Sequence, residues 1–248
     1  VHTYYCYDTD GIKLLKKIQR IDGKAIDGVT PENIYDVLST IDYTDPNYIV
    51  VEYKYYSLLD AIQKFNCRLN GLLKSEINAE GEETVYTYDQ YGNTATVTNA
   101  AGNTSHFTYD IMGNKTKEIS PGGYEYRWRY DANGYVTREY YPDNGVVVSA
   151  YDLTGNLTQT VPQELYDPEK DFGNYYSGNE GTKYVYNSSG RLESVTDALG
   201  YKTDYLYDSY GNIVSEIREN SSIITYEYDN RDRIVKQWYN ENKNSAKV

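Results

Sequence analysis

The side chains that could do chemistry here are 37 acids, 32 tyrosines, two histidines and two cysteines. Nucleophilic and metal-assisted catalysis usually recruit histidine. His2 and His106 are each isolated from any credible ligand set, and His106 falls in a strand pattern at a tolerant surface position. Asp8-Thr9-Asp10-Gly11 has the opening of a calcium loop without its downstream Glu. Glycoside hydrolysis needs two carboxylates across a cleft, and acids spread along a sheet do not provide that. The reading is therefore no catalytic residue, no cofactor and no metal. Cys6 and Cys67 read as small buried hydrophobes in strands, with a disulfide between them left open.

The acids are nonetheless ordered. Tyr88-Asp89, Tyr109-Asp110, Tyr130-Asp131 and Tyr151-Asp152 recur every 21 residues, and Tyr186-Asn187, Tyr207-Asp208 and Tyr228-Asp229 resume the same interval after one gap of 35. Such periodicity marks repeats that bury their apolar faces only by stacking on neighbours. Each period holds two turn signals. The first pairs Asp89 with Gly92, Asp110 with Gly113, Asp131 with Gly134, Asp152 with Gly155 and Asp208 with Gly211. The second runs Asn78 to Gly81, Asn99 to Gly102, Ser120 to Gly123, Pro142 to Gly145 and Asp197 to Gly200. Asp, Asn or Ser at the first position and Gly at the fourth suit a type I turn followed by a left-handed residue. These ten Asp and Gly residues are assigned a structural role at the turns.

Between turns the pattern alternates. Tyr124, Tyr126, Trp128 and Tyr130 are interleaved with Glu125, Arg127 and Arg129, the period of a strand with unlike faces. The expected fold is all-β: antiparallel hairpin repeats in a curved, spiralling open sheet, with tyrosine ladders as its architecture. Tyr124, Tyr126, Trp128, Tyr175 and Tyr176 are the candidate ligand surface if any aromatic row is exposed.

Two stretches break the rhythm. Thr30-Pro31-Glu32 opens a short helix, with Ile34, Val37, Leu38 and Ile41 as one apolar stripe that covers a sheet edge. Residues 163–181 form a turn-rich loop projecting from a hairpin, a natural place for recognition or a neutral insertion lying on the sheet. The expected divisions are 1–64, a degenerate repeat with the helical insertion at about 25–47, and 65–248, the regular sheet with the loop at about 163–181.

Tyr86-Thr87-Tyr88-Asp89-Gln90-Tyr91-Gly92-Asn93 and Tyr205-Leu206-Tyr207-Asp208-Ser209-Tyr210-Gly211-Asn212 resemble the YD repeats, also called RHS repeats, of large bacterial secreted and surface proteins. Tyr184 to Arg191 keeps the arginine form, Tyr226 to Arg233 replaces the glycine by Asp232, Tyr5 to Ile12 is a further copy, and Phe65 to Leu72 is a worn one. The resemblance implies a spiralling antiparallel sheet. It also implies shells that enclose a toxic C-terminal domain, and for some members carbohydrate or cell-surface binding. It further implies a secreted or surface location, with the rest of a parent chain as partner.

The net charge of −13 disfavours nucleic acid and anionic membranes. No apolar run reaches transmembrane length. The chain opens on Val1 without a signal segment and reads as a piece of a longer protein. About eight hairpins give roughly 1,600 Å² of sheet, against on the order of 6,000 Å² to enclose a 100-residue cargo. This length of wall is one arc of any shell.

Overall fold

The computed structural model describes residues 2–7, 12–22, 24–26, 37–38, 40–42, 44, 48–64, 67–173, 175–219 and 222–241. The fold is all-β, an open antiparallel sheet of hairpin repeats with little helix. It divides into two compact units, Val1–Glu125 and Tyr126–Val248.

The first unit contains β1 (Thr3–Tyr7), β2 (Leu14–Arg20), β3 (Tyr48–Tyr55), β4 (Leu73–Ile77), β5 (Glu83–Tyr88), β6 (Thr94–Thr98), β7 (Thr104–Tyr109) and β8 (Lys115–Ile119). Each pairs antiparallel with the next. β9 (Glu125–Tyr130) leads into the second unit. There β10 (Val136–Tyr140), β11 (Val146–Tyr151), β12 (Leu157–Val161), β13 (Thr182–Tyr186), β14 (Leu192–Thr196), β15 (Lys202–Tyr207), β16 (Ile213–Arg218), β17 (Ser222–Tyr228) and β18 (Ile234–Glu241) repeat the scheme. The second tyrosine of each signature ends the first strand of its hairpin, where the register slips by one residue: Thr87 opposes Thr96, but Tyr88 opposes Thr94. A bulge there follows from the left-handed glycine of the turn.

Several expectations need correction. The Cys67 segment is not a strand. Cys67–Leu69 is one turn of 3₁₀ helix, and the worn repeat sits instead on Tyr53 and Tyr55 of β3. There the Tyr56 amide donates to Leu72 O and the Gly71 amide donates to Tyr56 O. These are the bonds made in the next corner by Asp89 to Asn93 O and Gly92 to Asp89 O, now closing a loop twelve residues longer. That longer loop holds α1 (Leu58–Gln63), a helix the periodicity did not predict. The Ser57 hydroxyl accepts from the Asp60 amide, and Asp60 Oδ2 accepts from the Ser57 amide. This reciprocal cap starts a helix too short to form alone. The corner expected at Pro142 to Gly145 closes one residue earlier, with the Asn144 amide donating to Tyr141 O and Asn144 itself at φ 67. Asparagine tolerates the left-handed region, so it takes the role of glycine.

Of the stripe expected at 34–41, Ile34 lies outside the described residues, as do Thr30, Pro31 and Glu32. Val37 and Leu38 are helical. Leu38 and Ile41 are buried with Ile26, Cys6, Ile18 and Val50, against Tyr4, Val37 and Tyr48. They cover a face of β1–β3, not an edge. Tyr4, Cys6, Ile18 and Val50 share that face, whereas Tyr5 and Tyr7 point to the other. Cys6 is a free, buried thiol whose pKa burial raises. Among the described residues no helix is long and apolar enough to cross a membrane.

Candidate functional site

The repeat corner is the recurrent chemical unit. At Asp110, Oδ1 accepts from the Met112 and Asn114 amides at 2.9 Å, and Oδ2 accepts from Asn114 Nδ2 at 3.0 Å. Asp89, Asp152 and Asp208 are held the same way by Asn93, Asn156 and Asn212. Asp131 accepts from the Asn133 and Tyr135 amides. Asp229 substitutes the Arg233 guanidinium for the amide clamp. Thus the side chain four residues after the acid, Asn or at Asp229 Arg233, closes the corner by holding the carboxylate. The side-chain amide of Asn114 holds Asp110 below the usual carboxylate range, and the Thr154 hydroxyl with the Asn156 amide does so for Asp152. Gly92, Gly113, Gly134, Gly155 and Gly211 all have positive φ, between 86° and 102°.

Successive corners also touch. At three corners the residue after one turn glycine lies over the glycine of the next. A Cβ on Gly113 would meet Asn93 Oδ1 at 3.9 Å, one on Gly211 would meet Arg191 Nη2 at 2.9 Å, and one on Gly155 would collide with the Tyr135 hydroxyl. Asn212 Nδ2 donates to Asp232 of the following corner at 2.9 Å. Glycine is therefore needed at Gly155 both for its backbone and for the room it leaves. A second tie crosses the sheet. The hydroxyls of Tyr55, Tyr88, Tyr207 and Tyr228 donate to the carbonyls of Leu14, Leu73, Leu192 and Ile213 at 2.7–2.8 Å. Each acceptor is the bulge residue of the preceding hairpin. Tyrosine supplies an apolar body and a donor at once, and each such bond contributes about 0.5–1.5 kcal/mol.

The aromatic candidates do not form one exposed row. Tyr124 is exposed, whereas Tyr126 and Trp128 are half-buried and stacked at 6.4 Å, with Tyr141 edge-on to Tyr126. Tyr175 is exposed and stacked on Phe172 at 5.1 Å. Tyr176 turns inward, stacks on Tyr166 and accepts the Asp167 amide through its hydroxyl. Phe172 is the ring that sequence reasoning left out of the candidate set.

What holds those rings is an ion pair the sequence did not announce. Residues 162–173 and 175–181 fold back on the sheet, with short 3₁₀ turns at Gln163–Leu165 and Pro168–Lys170 and a bridge from Asp171 to Tyr176. Arg138 on β10 is 2 % exposed and donates through Nε and Nη2 to the two oxygens of Asp171, both at 2.9 Å. Tyr166 donates its hydroxyl to Asp171 Oδ2 at 3.0 Å. Val146, Val148 and Val161 form the apolar floor beneath Tyr140, Tyr166 and Tyr176. The Arg138 guanidinium holds the Asp171 carboxyl down at about 2 against the opposing effect of burial. Burial, with the bond to Asp171, pushes Tyr166 up to about 12. A buried arginine opposite a loop carboxylate has no local pattern, since the partners stand 33 residues apart.

The corner acids are engaged in their own turns. An open cleft of about 550 Å³ is lined by Asp208, Tyr210, Tyr226, Asp229 and Asp232, but Asp208 and Asp229 are occupied in their own corners. Among the described residues no group of three His, Cys, Asp or Glu could hold a metal ion. His106 is exposed on β7 and His2 is exposed near the terminus.

The RHS Repeat family matches residues 69–104, 88–125 and 186–223. No curated protein matches the chain. Among solved structures it is similar to a TcdB2-TccC3-Cdc42 complex, at 17% identity and a TM-score of 0.58 over 90% of this chain. It is similar to a Photorhabdus luminescens Tc holotoxin pore, at 16% identity and 0.58 over 90%. It is also similar to TcdB2-TccC3 without its hypervariable C-terminal region, at 16% identity and 0.59 over 92%. The likeness is one of fold, and the chain spans 12% of the length of each of those chains.

Proposed function

This chain carries RHS repeats, and on that premise we propose that it is a non-catalytic length of wall. In this reading it is part of a β-shell scaffold that encloses or displays a C-terminal toxin or effector in a large secreted or cell-surface bacterial protein. The observation that carries the reading is the corner ladder. Every Asp whose clamp is described uses its carboxylate to close its own turn, and Gly113, Gly155 and Gly211 are each approached by the preceding corner. The acids are used for construction, and single-layer hairpins added one after another make surface. Of the solved structures with a similar fold, one is a Tc holotoxin pore and another is described as lacking a hypervariable C-terminal region.

The test is protection of cargo. The chain is expressed within its flanking sequence, and the downstream portion is challenged with protease before and after deletion of one 21-residue period, Thr94 to Asn114. Protection that is lost on deletion supports the reading; equal resistance with and without the deletion removes it.

A second reading rests on the exposed Phe172–Tyr175 pair, held at the tip of an anchored loop. Stacked rings of this kind fit a sugar face or a surface protein. A glycan array on which the chain and its Tyr175→Ala variant are equally silent rejects it.

A further inference from the structure

The tip of the second insertion carries a charge as well as two rings. Phe172 and Tyr175 are 59% and 60% exposed, lie 16° from parallel, and take no part in the apolar floor of Val146, Val148 and Val161. Gly173 turns the chain at the tip with φ 80 and has a guanidinium beside it: a Cβ there would stand 3.8 Å from Arg129 Nη1. Arg129 is exposed near the end of β9, and its guanidinium lies 5.6 Å from the centre of the Tyr140 ring. Such a contact steadies a cation without neutralising it. Among the described residues no carboxylate pairs with Arg129. The acids around it are engaged elsewhere. Asp171 is taken by Arg138, and Asp167 and Glu180 meet Lys170. Glu139 opposes Trp128 and therefore faces the other side of the sheet from Arg129.

We propose that this tip binds an acidic sugar. The Phe172–Tyr175 pair covers the apolar C–H face of a pyranose, and the Arg129 guanidinium takes the sugar's carboxylate in a forked pair of hydrogen bonds. This rests on the second reading above and narrows its ligand. A neutral sugar would cover the rings and leave Arg129 without a counter-charge. A small linear carboxylate would meet Arg129 and leave the rings in water. A carboxylate borne on a pyranose ring meets both, because the acid is bonded directly to the ring whose face is stacked.

The ligand is a single acidic unit and not a charged polymer. The chain as a whole carries −13, and Glu164 and Glu169 stand on the two turns that precede the tip. A polyanion would be repelled by that field, whereas one carboxylate facing one guanidinium is not. The anchor makes the arrangement durable: the bidentate pair of Arg138 and Asp171 fixes the residue next to Phe172, so rings and cation are held in register before any ligand arrives.

Two probes that differ only at one carbon decide it: methyl β-glucuronide, with a carboxylate, and methyl β-glucoside, with a hydroxymethyl group. Each is titrated into the chain and followed by NMR in about 0.1 M salt. The glucuronide is expected to bind about tenfold more tightly than the glucoside, with the difference shrinking in about 1 M salt. Arg129→Gln should remove that preference and leave glucoside binding as it was, which also shows that the tip is still folded. Arg231→Gln, the same loss of charge at a corner of another repeat, should leave the preference intact. Tyr175→Ala should abolish binding of both. Equal binding of the two glycosides overturns the proposal and leaves the second reading standing. So does a preference that survives Arg129→Gln or is lost with Arg231→Gln. Binding of neither glycoside to the parent chain overturns both. Should Arg129→Gln lose both ligands, Arg129→Lys is the second variant: a reduced preference for the glucuronide supports the assignment, and none overturns it.

Discussion

Two of the insertions, one in each unit, lie over the sheet face opposite their signature tyrosines. They are held by different forces. In the first, the contact is chiefly aliphatic: Leu38 and Ile41 settle among Ile18, Val50, Ile26 and Cys6, with single hydrogen bonds from Lys16 Nζ to Ile41 O and from the Ile26 amide to the Tyr4 hydroxyl. In the second, three valines make the floor, but position is set by the bidentate pair of Arg138 and Asp171 with Tyr166. Apolar burial rewards covering a face in many arrangements. A buried fork of hydrogen bonds rewards one arrangement and penalises the rest. The Phe172–Tyr175 tip is carried by the second kind of attachment, so its rings are held in one place.

The comparison can be broken at the ion pair first. Arg138→Ala should cost about 3–5 kcal/mol, because Asp171 is left buried without its partner. Chemical denaturation measures it, and a cost below 1 kcal/mol would make the pair incidental. The double change Arg138→Met with Asp171→Leu should recover most of that loss. Leu38→Ala comes next, at about 2–5 kcal/mol depending on how far the cap collapses onto Ile18. Unlike Arg138→Ala, its loss should have no second-site polar rescue.

pH separates the two insertions without mutation. Asp171 has a folded pKa of about 2, below the ordinary value of roughly 3.9. Its contribution is thus complete above that ordinary value and lost as pH falls through about 2. Hydrogen exchange should show β10–β12 amides losing protection between about pH 4 and 2, while β2–β3 amides beneath the aliphatic cap lose less. Equal losses would erase the distinction. The smallest effect is Tyr166→Phe, about 1 kcal/mol for one hydrogen bond, read from the same denaturation curves. A change larger than that of Arg138→Ala would put the anchor on the tyrosine.

The corners were legible because their chemistry is local. Asp110, Gly113 and Asn114 satisfy one another within five residues, so spacing alone identified the turn. The Asn after glycine was visible as a pattern, but its hold on the carboxylate and its reach to the next corner were not, since the latter joins residues 20 apart. The reading of Cys67 as a strand residue went astray for the same reason. The phase could be counted from Tyr88, but only the bonds of Tyr56 to Gly71 and Leu72 reveal that the repeat absorbed a longer loop. The early closure at Asn144 was hidden because Asn and Gly both take left-handed backbone and stand side by side there.

The order of tyrosine, acid and glycine by itself determined the hairpins, their period and the all-β sheet, since each turn closes on groups a few positions away. Tertiary structure alone decided which face each insertion covers, which arginine is buried, and which rings project. Those outcomes depend on residues 30 or so positions apart meeting across strands, where burial and charge pairing are settled by geometry that no short window of sequence contains.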